Sequence, residues 1–287
     1  MSHLVAYLGN EPEHLACALV SARAALTSTP PGAGPAGAAP PLTRQGWGLG
    51  FVQGGDVLLQ KRPRAETDEI DFFTLARDLR ADAFIARGGT GEELPVTAED
   101  SDPFRFRWWL MGSVIQPDGF DQIRDKVLAS IPEFLRRNIR GHSAGELVFH
   151  LFLSFLHDGS TLETQALDPE PVARALRESV AFVERLLADL ELPRADMALV
   201  VTNGRNLVAR SAGLPIQFLR TTGINDCTVC RQKLHHGHGD GRRYAHEGLR
   251  AVVVESNPAS PQRPGWTQVG PGSTLLAFAD SVSLQST

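Results

Sequence analysis

Positive charge, cysteine and long apolar runs are all scarce in this 287-residue chain, and each scarcity excludes a class of protein. Lys and Arg number 28 against 33 Asp and Glu, for a formal net charge of −5. That balance leaves no basic footprint for nucleic acid or for an anionic membrane surface, so neither is expected as a partner. Three cysteines cannot build a disulfide framework, and an odd count suits a reducing compartment. No stretch reaches the roughly 18 consecutive apolar residues that a bilayer crossing needs. The opening MSHLVAYLGNEPEH has neither the cationic start nor the apolar run of a secretory leader, so the expected location is cytoplasmic. What is abundant is core material: 42% of the residues are hydrophobic, which rules out a disordered or fibrous chain of this length.

Hydrophobic spacing places a buried strand at Leu4–Leu8 and a helix over Glu11–Leu26. Residues 27–41 are a Pro/Gly/Ala loop that suits neither helix nor ladder. Two apolar runs, Trp47–Gln53 and Asp56–Arg62, flank Gly54-Gly55, the signal of a tight hairpin. A helix over Glu66–Leu79, a strand at Ala83–Arg87 and one or two strands within Arg105–Ile115 follow. Helices are predicted over Asp121–Arg137, Ser143–His157 and Pro169–Leu190, the last between a proline start and a stop at Pro193. The chain then turns to strands at Met197–Thr202, Asn206–Ser211, Ile216–Thr221, Leu249–Ser256 and Ser273–Phe278. Strands, then helices, then strands argue against a doubly wound parallel sheet. They favour an α+β sandwich of antiparallel sheets covered by helices, built as one domain over 1–287.

A polar, His- and Gly-rich insert spans 222–248. In it Cys227-Thr228-Val229-Cys230 is a CxxC pair, followed by His235, His236 and His238, with His246 further on. Two thiolates at this spacing can share one tetrahedral ion, so Cys227, Cys230, His235 and His238 form a candidate zinc set. A redox role would need the pair at a helix start in a thioredoxin-like unit, which the β-rich flanks do not suggest. Cys17, on the apolar side of the first helix, is expected to be an inert core residue.

Nine segments in order carry a resemblance over the whole chain. Their residues are MSHLVAYLG at the start, Gly46-Trp47-Gly48-Leu49-Gly50, Ile85-Ala86-Arg87-Gly88-Gly89-Thr90, Asp102-Pro103-Phe104, Trp109 to Ile115, Ser143-Ala144-Gly145-Glu146-Leu147, and the closing Asn203-Gly204-Arg205, Val254 to Pro258 and Pro264-Gly265-Trp266. Together they resemble class II glutamine amidotransferases, in particular the small stand-alone branch that includes γ-glutamyl hydrolases. The resemblance implies the Ntn-hydrolase fold, an αββα sandwich.

It also implies a site, and this chain departs from it at several points. The family's N-terminal cysteine nucleophile uses its own α-amino group as base; here Ser2 stands in that place. The oxyanion hole should come from an Asn side chain and a Gly amide; here Gly112 and Ser113 stand there, and only the Ser113 hydroxyl could donate. The Asp that holds the substrate amine is replaced by Ala144, and two histidines by Ile85 and Asp102. Arg87 matches the arginine that grips the substrate α-carboxylate, so Arg87, Thr90 and Gly112 are the candidate ligand-binding set. Three readings follow. The first is a protein that has lost glutaminase chemistry and serves as a binding or regulatory subunit, for a carboxylate or γ-glutamyl small molecule, a protein partner or a second copy of itself. The second is an amidohydrolase that uses Ser2. The third is a metal-dependent activity centred on the insert.

Overall fold

The computed structural model describes residues 2–22, 45–63, 76–90, 95–116, 119–233, 245–256, 263 and 265–286. The loop expected at 27–41, and most of the helix expected over Glu66–Leu79, lie outside these residues. Among the described residues no helix is long and apolar enough to cross a membrane.

Two antiparallel sheets stack face to face. The first holds β1 (Ser2–Gly9), β2 (Gln45–Gln53), β3 (Asp56–Arg62), β4 (Ala83–Thr90), β9 (Ile216–Ile224), β10 (His246–Ser256) and β11 (Thr267–Val269), in the order β11-β9-β10-β1-β4-β2-β3. The second holds β5 (Phe104–Phe106), β6 (Trp109–Gln116), β7 (Asp196–Thr202), β8 (Leu207–Ala212), β12 (Thr274–Ala277) and β13 (Val282–Gln285), in the order β13-β12-β8-β7-β6-β5.

Period-2 alternation sorts the side chains into layers. On β1, Leu4, Ala6 and Leu8 join Leu110, Val114, Val200 and Leu275 in a dry layer between the sheets. Val5 and Tyr7 point the other way, onto Leu15, Ala18 and Leu19 of α1 (Leu15–Ala22). The second sheet buries its outer face under α2 (Phe120–Ser130), α4 (Ala144–Asp158) and α5 (Pro169–Asp189), with Trp109 and Met111 against Phe149 and Phe152. The result is the αββα sandwich.

Local differences from the expected elements have simple causes. The helix expected over Asp121–Arg137 ends at Ser130 and restarts as α3 (Glu133–Arg136). Pro132 forces Ile131 out of the helical region, to φ −93° and ψ 127°. The first helix opens with a 3₁₀ turn at Pro12–His14, where the proline lacks an N–H to bond. β9 and β10 run into the supposed insert, and α6 (Thr228–Lys233) forms inside it, because Cys227 and Val229 pack under the apolar layer of α1.

His150, buried in the middle of α4, generates a pH dependence. Its Nδ1–H donates to the Glu146 carbonyl at 2.9 Å, whereas Nε2 is buried without a partner. Burial holds its pKa below the usual 6.5, against the pull of that hydrogen bond. In the window between its folded pKa and 6.5 the unfolded chain binds more protons, so stability is lost as pH falls below 6.5. His3 shifts the same way, through burial and then the N-terminal charge. His150→Gln should flatten the pH dependence of urea-unfolding stability by at most about 1.4 kcal/mol per pH unit below neutrality. An unchanged slope would refute the assignment.

Candidate functional site

The sequence-predicted ligand site lies at one end of the interface between the sheets. β4 sets Arg87 opposite Leu4 of β1 and Gly48 of β2. The segment Ser101–Pro103 crosses directly over Gly48, where a Cβ would come within 1.8 Å of the Asp102 carbonyl oxygen. Only a glycine admits that approach. Asp102 stands two residues before the Phe104–Met111 pair that joins β5 to β6, and so comes opposite Ser113.

The Asp102 carboxylate then closes a network. Its Oδ2 accepts from Arg87 Nη1 at 2.6 Å, while its Oδ1 accepts from the Ser113 N–H at 2.6 Å and the Ser113 hydroxyl at 2.7 Å. The carboxylate side chain is 2% exposed and the Arg87 side chain 15%. The first turn of α4 abuts it: a Cβ on Gly145 would lie 2.5 Å from Ser113 Oγ and 3.4 Å from Asp102 Oδ2. A helix N-terminus favours the negative charge it faces.

This geometry gives each predicted residue a place. Arg87 spends one guanidinium nitrogen on a carboxylate from its own chain. Ser113 spends its amide and hydroxyl on the same group, on the face of β6 that looks toward α4. Gly112 looks the opposite way, into the layer between the sheets, where a Cβ would meet Ile85 Cγ2 at 2.5 Å and Leu4 Cδ1 at 2.7 Å. An asparagine does not fit there while Ile85 occupies the space. The Ser2 backbone pairs with Gly89, two residues from Arg87, and the Thr90 backbone pairs with Gln45. Ala144 is the first residue of α4 and carries no acidic group. The cavity beside Arg87 and Asp102, walled by Trp47, Pro63, Pro95 and Ser101, has a volume of about 20 Å³, room for about one water.

Several polar residues of this region were not singled out from sequence. Lys61 donates to the Ala98 carbonyl at 3.1 Å and lies 4.9 Å from the centre of the Phe104 ring. Burial lowers its pKa, opposed by the charges of Asp102 and Glu146. Glu146 accepts from the N–H groups of Arg140 and Gly141 at 2.8 and 2.7 Å; burial raises its pKa against those two bonds. Asp100 accepts from the N–H groups of His142 and Ser143 at 2.5 and 3.0 Å. Although burial works against it, these bonds and the Thr97 hydroxyl hold Asp100 below the ordinary carboxylate range. The one usable signal was an acid standing in place of a histidine beside a retained arginine, a pair of opposite charges that suits mutual neutralisation.

A second cluster lies outside the first sheet. Cys17, Cys227, Cys230 and His246 bring one ligand atom each to within 4.8 Å of all the others. Thus Cys17, expected to be inert, is buried but stands 3.7 Å from Cys230, sulfur to sulfur. Burial, and after it hydrogen bonding to Cys227, push its thiol pKa upward. His246 Nε2 is 3.4 Å from Cys230 Sγ; burial, then the neighbouring His14, lower its pKa and favour the neutral ring. His235 and His238 lie outside the described residues.

No profile of a known protein family matches the chain, and no curated protein matches it by sequence. Solved structures do. A glutamine aminotransferase class-II domain protein from Silicibacter pomeroyi is 15% identical, with a TM-score of 0.59 over 99% of this chain and 98% of that one. A predicted glutamine amidotransferase from Pseudomonas aeruginosa is 13% identical, with a TM-score of 0.52 over 98% and 95%. The glutamine phosphoribosylpyrophosphate amidotransferase of B. subtilis is 10% identical at 0.50, matching 99% of this chain and 49% of its own length. The fold is therefore the Ntn-type αββα sandwich of class II glutamine amidotransferases.

The contact of Gly112 with Ile85 generates a coupling test. Gly112→Ala alone should cost roughly 1–3 kcal/mol through overpacking. Ile85→Ala alone should cost roughly 2–5 kcal/mol through the cavity it leaves. Because Ile85 Cγ2 is the nearest obstacle, the double variant should be more stable than the two losses summed, by about 0.5–3 kcal/mol in urea unfolding. Strict additivity would show that the two residues do not share this space.

Proposed function

We propose that the chain is a member of the class II glutamine amidotransferase family that has lost glutaminase chemistry and works as a binding or regulatory subunit. The observation that carries this reading is the Asp102 carboxylate seated between Arg87 and Ser113. The group expected to hold a substrate carboxylate is neutralised from within, and the one residue able to replace the oxyanion donor donates to the same acid. Gly112 supports the reading, since it offers no side-chain donor and its surroundings refuse one. Loss of a single oxyanion donor costs about 10²–10³ in rate, so these changes together remove the reaction.

The partner in this reading is a carboxylate or γ-glutamyl small molecule, or a macromolecule, either another protein or a second copy of the chain. The edge strand β3, which exposes Leu58 and Leu59, offers such a partner an apolar border.

A second reading has one specific observation in its favour. Ser2 begins the central strand of the first sheet, paired to Gly89, so its backbone lies where an N-terminal nucleophile is expected. In that reading a free Ser2 amine activates its own hydroxyl against an amide. A third reading, a metal-dependent activity with zinc at the Cys/His insert, is weaker. Four protein donors around one zinc leave no open position for substrate.

Glutamate release from glutamine and from γ-glutamyl amides, with Ser2→Ala beside the wild type, separates these readings. The expected result is no turnover in either. Turnover in wild type that disappears in Ser2→Ala would establish the N-terminal serine hydrolase instead. Turnover equal in both that is abolished by a chelator would move the chemistry to the insert.

A further inference from the structure

We propose that Cys17, Cys227, Cys230 and His246 are the four ligands of a structural zinc ion that fastens α1 to α6 and to the start of β10. The inference does not depend on whether the amidotransferase chemistry is lost.

Two of the six donor–donor distances match a tetrahedron's edges, and the other four are within reach of them. With Zn–S near 2.3 Å and Zn–N near 2.0–2.1 Å, tetrahedral geometry requires about 3.8 Å between sulfurs and about 3.6 Å between sulfur and nitrogen. Cys17 and Cys230 are 3.7 Å apart, and Cys230 and His246 Nε2 are 3.4 Å apart. The remaining pairs fall within 4.8 Å. None of the three cysteines is joined in a disulfide, since the 3.7 Å between the Cys17 and Cys230 sulfurs is far beyond the roughly 2.05 Å of an S–S bond.

The donors come from three separate parts of the chain, which apolar packing brings together. Cys17 lies on α1. Cys227 and Cys230 flank the start of α6, a helix of six residues that is too short to be stable by itself. His246 opens β10 opposite Ile224 of β9, and the β9–β10 register shifts between His246 and Arg250. Ile224, Val229 and Leu249 join the two buried cysteines, Cys17 and Cys227, in one apolar cluster, with Cys230 half-buried at its border. The His14 ring packs on His246 with centroids 3.9 Å apart, and its own Nδ1 is 2.7 Å from Glu11 Oε2, which fixes the ring that flanks the imidazole. On binding, the three thiols release three protons to solvent and His246 coordinates as the neutral ring. A set closed by four protein donors makes the ion a structural one.

The test is the zinc content of the full-length chain, purified under reductant and reconstituted with zinc alone, by elemental mass spectrometry. One zinc per chain is expected in the wild type and in His235→Ala and His238→Ala. Stoichiometric zinc should be lost in Cys17→Ser and His246→Gln. Cobalt substitution of the intact wild type, whose absorption bands report thiolate ligation and tetrahedral geometry, keeps the test valid where a variant fails to fold. The proposal is overturned by wild type that binds no zinc, by zinc retained in Cys17→Ser and lost in His235→Ala, or by a Cys17–Cys230 disulfide in the native chain.

Discussion

The Asp102 carboxylate joins the two halves of the sandwich at one end of the interface between the sheets. One oxygen is held by Arg87 of the first sheet and the other by Ser113 of the second. A buried acid and a buried base are each costly alone, and removing one partner of such a pair typically costs about 3–5 kcal/mol. The local architecture accommodates that pair. Gly48 lets the Asp102 backbone lie against β2, and Gly145 lets the N-terminus of α4 approach Ser113 and the carboxylate from the other side. Side chains at either position would push the acid away from its donors.

From this pair follows the separation between scaffold and chemistry. The strands, the covering helices and the close-packed glycines reproduce an Ntn-type sandwich over nearly its whole length at 15% identity to a solved relative. Inside it, side chains stand in matched sets. A charge opposite Arg87 makes the arginine self-sufficient, and an isoleucine over Gly112 fills the volume that a donor side chain would need. Each residue makes sense only with its neighbour, which is why the sets are legible as packing and electrostatics.

The architecture was readable from sequence because strand alternation and the Gly/Pro punctuation are local signals. The sites were only partly readable because their geometry is not local. The CxxC pair announced itself, but Cys17 lies 210 residues upstream of Cys227, and its apolar helical setting is indistinguishable by spacing from ordinary core. Likewise Arg87 could be matched to a carboxylate-binding role, yet whether that carboxylate belongs to a ligand or to Asp102 depends on a loop crossing a glycine in another strand. Lys61 and Asp100, on a strand and in a loop, carried no spacing that marked them. The short strands β11 and β13 were missed since three or four residues at a sheet edge carry too little alternation to register.

The position of β1 between β4 and β10 bears on how the chain is made. One neighbour of β1 is synthesised by residue 90, but the other is complete only at Ser256. At about 5–20 residues per second, roughly 10–30 s separate the two on the ribosome. Throughout that interval Leu4 to Leu8, which end fully buried, present an unpaired apolar edge. Newly made chains thus need shielding at their first strand for a reason of timing, however stable the finished sandwich is.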